Sequence, residues 1–234
     1  MKGVAAATTA TLKNSTLKWL DTIIVGRKLC PFAPSVRHAP KLSLCISDAT
    51  NDDDVLQAVR TEANLITQGI LRAEGTTIRS TTATTTTAPS PETSLIVLDP
   101  DRHPALRCFR NFVQLSWKIQ TECINPINHH NPHNQELLQI VLFHPQAVHD
   151  TYTETPPDTD ADTEADEDTT EGVVNYTIRS PYPTIHILRE DQILSAVQNS
   201  TYKNLDGLPQ RNKAKLIKDG LQFWQQKLRA CYDV

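Results

Sequence analysis

Short apolar segments alternate with longer segments of helical periodicity along this chain, and this alternation constrains the fold more than any other feature. Strands are predicted over residues 41–47, 94–98, 137–143 and 184–188. Helices are predicted over residues 16–28, 52–71, 103–123, 191–199 and 209–232. Strands separated by helices form βαβ units with right-handed crossovers. We therefore predict an α/β domain with a four-stranded, mostly parallel or mixed sheet and helices packed on it. The fourth strand is the candidate for an antiparallel edge strand.

Two segments interrupt this alternation without dividing any hydrophobic stripe. Residues 76–93 are rich in threonine and poor in apolar side chains, and residues 158–171 contain eight acids and no base. Segments of such composition do not bury enough apolar surface to fold. We therefore predict disordered insertions at about residues 74–92 and 146–172, a flexible N-terminus over residues 1–14, and a single domain over residues 15–234.

Charge and composition exclude several classes of protein. The net charge is −4, and it becomes +4 when the eight acids of residues 158–171 are left out. Such a remainder, without a concentrated basic stripe, does not indicate nucleic-acid binding. No segment approaches the roughly 20 apolar residues of a membrane span. The N-terminus lacks the apolar core of a secretory signal, so the cytoplasm is the predicted compartment, with an organellar transit peptide as the alternative.

The cysteines and the histidine-rich loop do not indicate a disulfide framework or a metal site. The five cysteines are an odd number and include no C-x-x-C pair. Cys108 and Cys123 fall on the apolar stripe of the third predicted helix, which predicts a place for both in the core. His129, His130 and His133 lie in a loop rich in Asn and Pro, which we interpret as solvated. Neither a metal nor a cofactor is predicted.

The stretch over residues 175–190 contains the most unusual polar chemistry of the chain. It carries an amide, hydroxyls, two guanidinium groups, two phenols, an imidazole and a carboxylate around Pro181 and Pro183. Each proline fixes φ and stiffens the approach to the strand, and either preceding peptide bond is a candidate for the cis form. In the strand that follows, Ile185 and Ile187 share one face, so His186 lies on the other.

These residues suggest a site that joins distant parts of the chain. The candidate catalytic residues are Cys30, His144 and His186. The candidate ligand-binding residues are Asn175, Arg179, Ser180, Tyr182, Arg189 and Glu190. Arginine forks suit carboxylate or phosphate oxygens, so the two arginines favour an anionic ligand in a pocket with both histidines. The structural alternative is that Arg189 pairs with Glu190 and that His186 is a hydrogen-bonded core histidine.

Cys30 and Ser180 are the two candidate nucleophiles, and each has a purely structural alternative. Arg27 and Lys28 favour a thiolate at Cys30, whereas the C-terminal end of the first predicted helix disfavours it. The structural alternative for Cys30 is a buried thiol packed against Phe32. Ser180 lacks the G-x-S-x-G elbow, which favours a hydroxyl that hydrogen-bonds the turn.

Three blocks of the sequence resemble a family of bacterial type, the domain of unknown function 1415. The first block runs from Trp19-Leu20 to Leu29-Cys30-Pro31-Phe32-Ala33. The second is Phe143-His144-Pro145, and the third covers residues 175–177 and 179–190. The resemblance extends over roughly residues 17–224 and implies a compact α/β domain without an assigned activity. Ile178 departs from the family, which has Asn there, and the acidic insertion replaces a shorter segment that carries aromatic and glycine positions.

Two classes of function remain open from the sequence. The first is an enzyme that acts on a small anionic metabolite through a pocket of His, Arg and Cys side chains. The alternative is a non-catalytic ligand-binding or protein-interaction module with the same pocket. Neither a nucleic-acid partner nor a membrane partner is predicted, and the oligomeric state is open. The distances among Cys30, His144, Arg179 and His186 decide most between these hypotheses.

Overall fold

Four strands form a single mixed sheet in the computed structural model, which describes residues 8–37, 41–73, 90–129, 136–149, 170–199 and 207–233. The strands are β1 (Leu42–Ser47), β2 (Thr93–Leu98), β3 (Leu138–Phe143) and β4 (Thr184–Arg189). Their order is β1-β2-β4-β3. β1 and β2 are parallel, and β4 is antiparallel to both of its neighbours. The predicted α/β fold with a mixed sheet is confirmed, but β4 lies inside the sheet. The edge position predicted for it is wrong.

The helices occupy both faces of this sheet. They are α1 (Thr9–Trp19), α2 (Ala33–Arg37), α3 (Asp52–Ala73), α4 (Phe109–Ile119), α5 (Asn125–His129), α6 (Thr170–Val174), α7 (Glu190–Asn199), α8 (Leu208–Asp219) and α9 (Leu221–Arg229). A 3-10 turn, Pro104–Arg107, precedes α4, and another covers Asn175–Thr177. α1 and α4 continue into π-helical turns, Leu20–Val25 and Gln120–Ile124.

Strand alternation divides the apolar side chains between two cores. On one face, α3 and α4 cover residues such as Ile96, Ile185 and Ile187, all of which have no exposed surface. On the other face, α1 and its π-helical turn join α6, α8 and α9 around Trp19 and Trp224. Burial of each large apolar side chain contributes about 1.5–3 kcal/mol, so both layers stabilise the sheet between them. His186 belongs to the second face, as its alternation with the isoleucines predicts.

Several helix boundaries differ from the predictions for local reasons. The first helix begins at Thr9, because the side chain of Thr8 accepts a hydrogen bond from the N–H of Thr11. Residues 9–14 are therefore helical rather than flexible. The single helix predicted over residues 209–232 is two helices, because Gly220 adopts a φ of 79° that breaks the hydrogen-bonding ladder. Ile217 in α8 is 42% exposed. Residues 125–129, predicted as loop, form α5.

The cysteines are distributed less uniformly than expected. Cys123 is buried, whereas Cys108 is exposed, so the prediction that both lie in the core is wrong for Cys108. The reason is that the 3-10 turn Pro104–Arg107 shifts the angular position of Cys108 relative to α4. No described helix is both long enough and apolar enough to cross a membrane. Most of the two predicted insertions, residues 74–89 and 150–169, and also His130 and His133, lie outside the described residues.

Candidate functional site

A cleft of about 120 Å³ opens between the second face of the sheet and the segment that follows α1. Strand residues form its floor, and the α1 helix with its π-helical turn, α2, α7 and α8 form its walls. The apolar lining residues are Trp19, Leu20, Ile24, Leu29, Phe32, Ala33, Val36, Leu42, Leu95, Phe143, Leu188 and Ile193. The polar or reactive lining residues are Cys30, Thr93, Thr177, His186, Arg189, Gln192 and Asn212. An enclosed apolar lining with a few polar groups is typical of a small-molecule site.

Side chains of α8 hold the segment that carries Cys30. Lys28 has a φ of 54°, which ends the helical path and turns the chain toward the cleft. Arg211 Nη2 donates to the carbonyl oxygen of Lys28 at 2.8 Å, and Asn212 Nδ2 donates to that of Leu29 at 2.8 Å. Helix carbonyls without intrahelical partners need such donors. These bonds fix Leu29 and Cys30 against the body of the domain and place both in the cleft wall.

The thiol of Cys30 is a half-buried group beside two backbone amides. Burial raises the pKa of the Cys30 thiol above its usual value. Hydrogen bonds from the backbone of Phe32 and Ala33 act in the opposite direction but are smaller in effect. The thiol is therefore protonated at neutral pH. The backbone of Phe32 and Ala33 thus favours the thiolate in part, although burial outweighs it.

His186 lies in the floor of the cleft and is fixed by the neighbouring strand. Nε2 of its ring is 2.7 Å from Oγ1 of Thr93, which in turn donates to the carbonyl oxygen of Ile187 at 2.7 Å. The ring of Phe143 lies 6.2 Å away, centroid to centroid. Burial lowers the pKa of His186 to about 4, so the imidazole is neutral at physiological pH.

Arg189 contributes the one guanidinium group among the described residues that line this cleft. Its Nε and Nη2 donate to the two carboxylate oxygens of Asp191 at 2.9 and 2.5 Å. The side chain of Arg189 is 13% exposed and that of Asp191 is 59% exposed. The structural alternative, a pair between Arg189 and Glu190, is not formed, because Arg189 pairs with Asp191 instead.

His144 is on the opposite face of the sheet from His186, so the predicted convergence of the two histidines is wrong. Phe143 points into the cleft, and strand alternation therefore turns His144 toward α4. The ring of His144 lies between Phe109 and Phe112 at centroid distances of 5.4 and 5.7 Å. Nε2 donates to Leu106 O at 2.8 Å, and burial lowers the pKa of His144 to about 4. These contacts give His144 a structural role in the packing of α4 against the sheet.

Arg179 and its neighbours also lie away from the cleft. The guanidinium group of Arg179 is buried, lies 4.8 Å from the ring centroid of Tyr176, and donates from Nε to Ala147 O at 3.3 Å. The Arg179 carbonyl accepts a hydrogen bond from Trp19 Nε1 at 3.0 Å. The predicted pocket with both arginines is therefore not formed, and the Arg179 carbonyl joins α1 to the segment that precedes β4.

Other candidates from the 175–190 stretch are held by protein groups. Oδ1 of Asn175 accepts from the N–H of His149 at 3.0 Å. Oγ of Ser180 donates to Tyr182 O at 2.6 Å, in agreement with the turn interpretation. The ring of Tyr182 packs edge-on against Tyr232 at 5.7 Å. The peptide bonds before Pro181 and Pro183 are trans. Most of this stretch forms a rigid corner, and the cleft receives Thr177, His186, Leu188 and Arg189 from it.

Sequence reasoning missed several residues of the cleft. Thr93 ends the threonine-rich run and was counted with the insertion, although it is 2% exposed in β2. Its position directly before an apolar strand was the available signal. Phe143 alternates with His144, which was enough to place them on opposite faces. Asn212 carries no local signal, because its place follows from the contact of α8 with the segment that carries Leu29.

The described residues do not suggest a metal centre. Among them, no three His, Cys, Asp or Glu side chains are grouped so as to hold a metal ion. Cys30 and His186 alone lack the further ligands that a closed site needs. The cleft can therefore bind through apolar contact, hydrogen bonds and the charge of Arg189, and its reactive group is the Cys30 thiol.

Comparison with known proteins places the chain in a family. A family model described as "Protein of unknown function (DUF1415)" matches residues 11–85 and 78–226. No curated protein and no solved structure matches significantly. The matched residues include the segment that carries Cys30 and the strand that carries His186 and Arg189. The chain belongs to the DUF1415 family.

Proposed function

We propose that this protein binds a small molecule with a mainly apolar body and one acidic group in the cleft beside Cys30. The apolar lining supports the first part, because it offers an aromatic or aliphatic body a surface removed from water. The acidic group follows from Arg189, which lines the same cleft and is mostly buried. The observation that carries the proposal is the presence of this guanidinium group in an otherwise mainly apolar cleft.

The pair with Asp191 leaves Arg189 able to bind an anion. Asp191 uses Nε and one N–H of Nη2, and within the described part of the chain the Nη1 donors have no acceptor. A carboxylate that reaches Nη1 gains a charge-assisted hydrogen bond at a site of low dielectric, which is worth about 1.5–3 kcal/mol. Asp191 is largely exposed, so water can replace one of its bonds to Arg189. The Arg189 N–H released in this way can then donate to the ligand.

Two matched compounds separate the apolar and the charged parts of this proposal. We expect 4-ethylbenzoate to bind more tightly than the uncharged 4-ethylbenzamide, as measured by ligand-observed NMR titration. Arg189→Gln should weaken benzoate binding by about tenfold and leave benzamide binding nearly unchanged. Asp191→Asn removes the competing carboxylate and should strengthen benzoate binding by a few fold.

Arg107→Gln is the control, since Arg107 forms a comparable ion pair with Asp101 at 2.6 Å but does not line the cleft. This variant should bind both compounds like the wild type. If neither compound binds at millimolar concentration, the cleft is not a site for apolar acids. Equal weakening of both compounds by Arg189→Gln would show that the substitution alters the cleft as a whole and would remove the argument for an acid.

An enzymatic reaction at Cys30 is the second candidate function. The observation that favours it is that Cys30 and the neutral imidazole of His186 line one cleft, with backbone amides beside the sulfur. A neutral imidazole can accept the thiol proton when a ligand excludes water and brings an electrophilic carbon to the sulfur. Because the resting thiol is protonated, such a reaction depends on His186.

Alkylation rates test this second candidate. Cys108 is exposed and supplies the internal reference for an ordinary thiol. We expect N-phenylmaleimide, an apolar reagent, to modify Cys30 at a rate that His186→Gln lowers several fold, while the rate at Cys108 stays constant. Peptide mass spectrometry gives both rates in one sample. A Cys30 rate that does not respond to His186→Gln would contradict the enzymatic candidate and leave Cys30 as a lining residue.

A further inference from the structure

We propose that His186 is an obligate hydrogen-bond acceptor in the cleft, that it selects ligands with a hydroxyl or N–H group, and that Thr93 is the positioning residue that fixes it in this state. The inference rests on the proposed function, because it specifies the second polar group of the molecule that binds there. A ligand with both features is an apolar hydroxy acid, or an apolar acid with an N–H group.

Counting protons at Thr93 determines the tautomer of His186. The Thr93 hydroxyl has a single proton, and it touches two groups at 2.7 Å, the carbonyl oxygen of Ile187 and Nε2 of His186. The carbonyl can only accept. If the hydroxyl proton pointed at the imidazole, two oxygen lone pairs would face each other at 2.7 Å. The arrangement that satisfies both contacts therefore has Nε2–H donating to Thr93 Oγ1 and Thr93 donating to Ile187 O.

Nδ1 of His186 is then the nitrogen with the free lone pair. In a neutral imidazole, one ring nitrogen carries the proton and the other accepts. Within the described part of the chain, Nδ1 has no hydrogen-bond partner. Because burial lowers the pKa of His186 to about 4, the ring stays in this neutral form at physiological pH. Since His186 lines the cleft, the inference assigns Nδ1 as an acceptor that an apolar body alone leaves without a donor.

The sheet holds this acceptor in a fixed place. His186 on β4 pairs with Leu95 on β2, and Thr93 lies at the start of the same β2 strand. Thr93 is 2% exposed, and its side chain has a branched β-carbon with few rotamers. A site built on strands keeps its geometry better than a site built on loops. Such an acceptor discriminates between ligands, because a bound ligand without the donor covers Nδ1 and leaves it without a partner.

The tautomer can be measured directly in the free protein. We expect the ¹⁵N spectrum of labelled histidine to show His186 with a protonated Nε2 and an unprotonated Nδ1. Thr93→Val keeps the shape and removes the hydroxyl, so it should mix the two tautomers, and Thr93→Ser should restore the single form. Thr184→Val is the matched control, because the Thr184 hydroxyl donates to Tyr182 O on the same sheet without contact to His186. A protonated Nδ1 in the wild type would overturn the inference.

Ligand selectivity tests the consequence. We expect 4-ethylphenol to bind about three- to tenfold more tightly than its methyl ether, 4-ethylanisole, to the wild type and to Thr93→Ser. The preference should fall to nearly one in Thr93→Val and in His186→Phe, while both compounds still bind. Equal binding of the two compounds to the wild type would overturn the inference and leave the proposed function intact. Failure of both compounds and of 4-ethylbenzoate to bind would instead contradict the proposed function.

Discussion

Protonation of His144 should destabilise this protein in mildly acidic solution. The ring is 1% exposed, donates from Nε2 to Leu106 O, and accepts the N–H of Gln146 at Nδ1, at 3.0 Å. Only the neutral ring can therefore make both hydrogen bonds, since one nitrogen donates and the other accepts. Burial lowers the pKa of His144 to about 4. In the unfolded chain the pKa returns to about 6.5, so the unfolded state binds more protons and stability falls as the pH decreases from about 6.5 toward 4.

The size of this effect follows from the two pKa values. The difference between 6.5 and about 4 corresponds to about 3 kcal/mol of unfolding free energy, because one pKa unit is worth about 1.4 kcal/mol. The pKa of His186 is lowered to a similar value, so the wild type should lose stability in acid through protonation of both rings. A variant that lacks one ring isolates the contribution of that ring to the pH dependence of the unfolding free energy. His144→Gln is suited to this, because it keeps a side-chain amide that can still reach the same two backbone groups.

Urea unfolding of the wild type and His144→Gln at several pH values between about 7.5 and 4.5 is the assay. At neutral pH the variant should be less stable by about 2–4 kcal/mol, since it loses the ring contacts with Phe109 and Phe112. That deficit should shrink by up to about 3 kcal/mol toward the acidic end. His149→Gln, at an exposed histidine, is the control. A deficit that stays constant with pH would refute the assignment of His144 as a buried neutral ring.

Two further substitutions test the structural parts assigned to other residues. Asn175→Ala leaves the N–H of His149 without its acceptor and should lower the unfolding free energy by about 1–3 kcal/mol in urea titrations, with 4-ethylbenzoate binding to the folded protein unchanged. Weaker benzoate binding would show that Asn175 contributes to the ligand site and contradict its structural role. Gly220→Ala should lower the unfolding free energy by about 1–3 kcal/mol through backbone strain alone, because a β-carbon at Gly220 meets no atom within 4 Å. A melting temperature equal to that of the wild type would show that the strained conformation is not required.

The elements of the fold were largely predictable, whereas their arrangement was not. Apolar runs and helical stripes locate β1 to β4 and α3 within a few residues, since local periodicity determines both. The insertion of β4 between β2 and β3 depends on pairings that no single segment encodes. The π-helical turns after α1 and α4 likewise have no recognised local signature, and Gly220 separates two helices whose apolar stripes read as continuous.

The candidate site was predictable where strand alternation applied and not where it depended on tertiary contacts. Alternation placed His186 opposite Ile185 and Ile187, and the same argument applied to Phe143 would have separated His144 from the cleft. Cys30 and His186 line the same cleft through tertiary contacts, since Asn212 of α8 holds the segment after α1 at Leu29 O. Of the two arginines predicted for the pocket, Arg189 lines the cleft, whereas Arg179 stacks on Tyr176.

The central claim is that the cleft beside Cys30 is the binding site for a small apolar acid, and protection of Cys30 from alkylation tests it most directly. With 4-ethylbenzoate present, the rate of modification of Cys30 by N-phenylmaleimide should fall in proportion to occupancy, and the rate at the exposed Cys108 should not change. Arg189→Gln should abolish most of that protection at the same benzoate concentration. Binding of benzoate without any protection of Cys30 would place the ligand elsewhere and contradict the account.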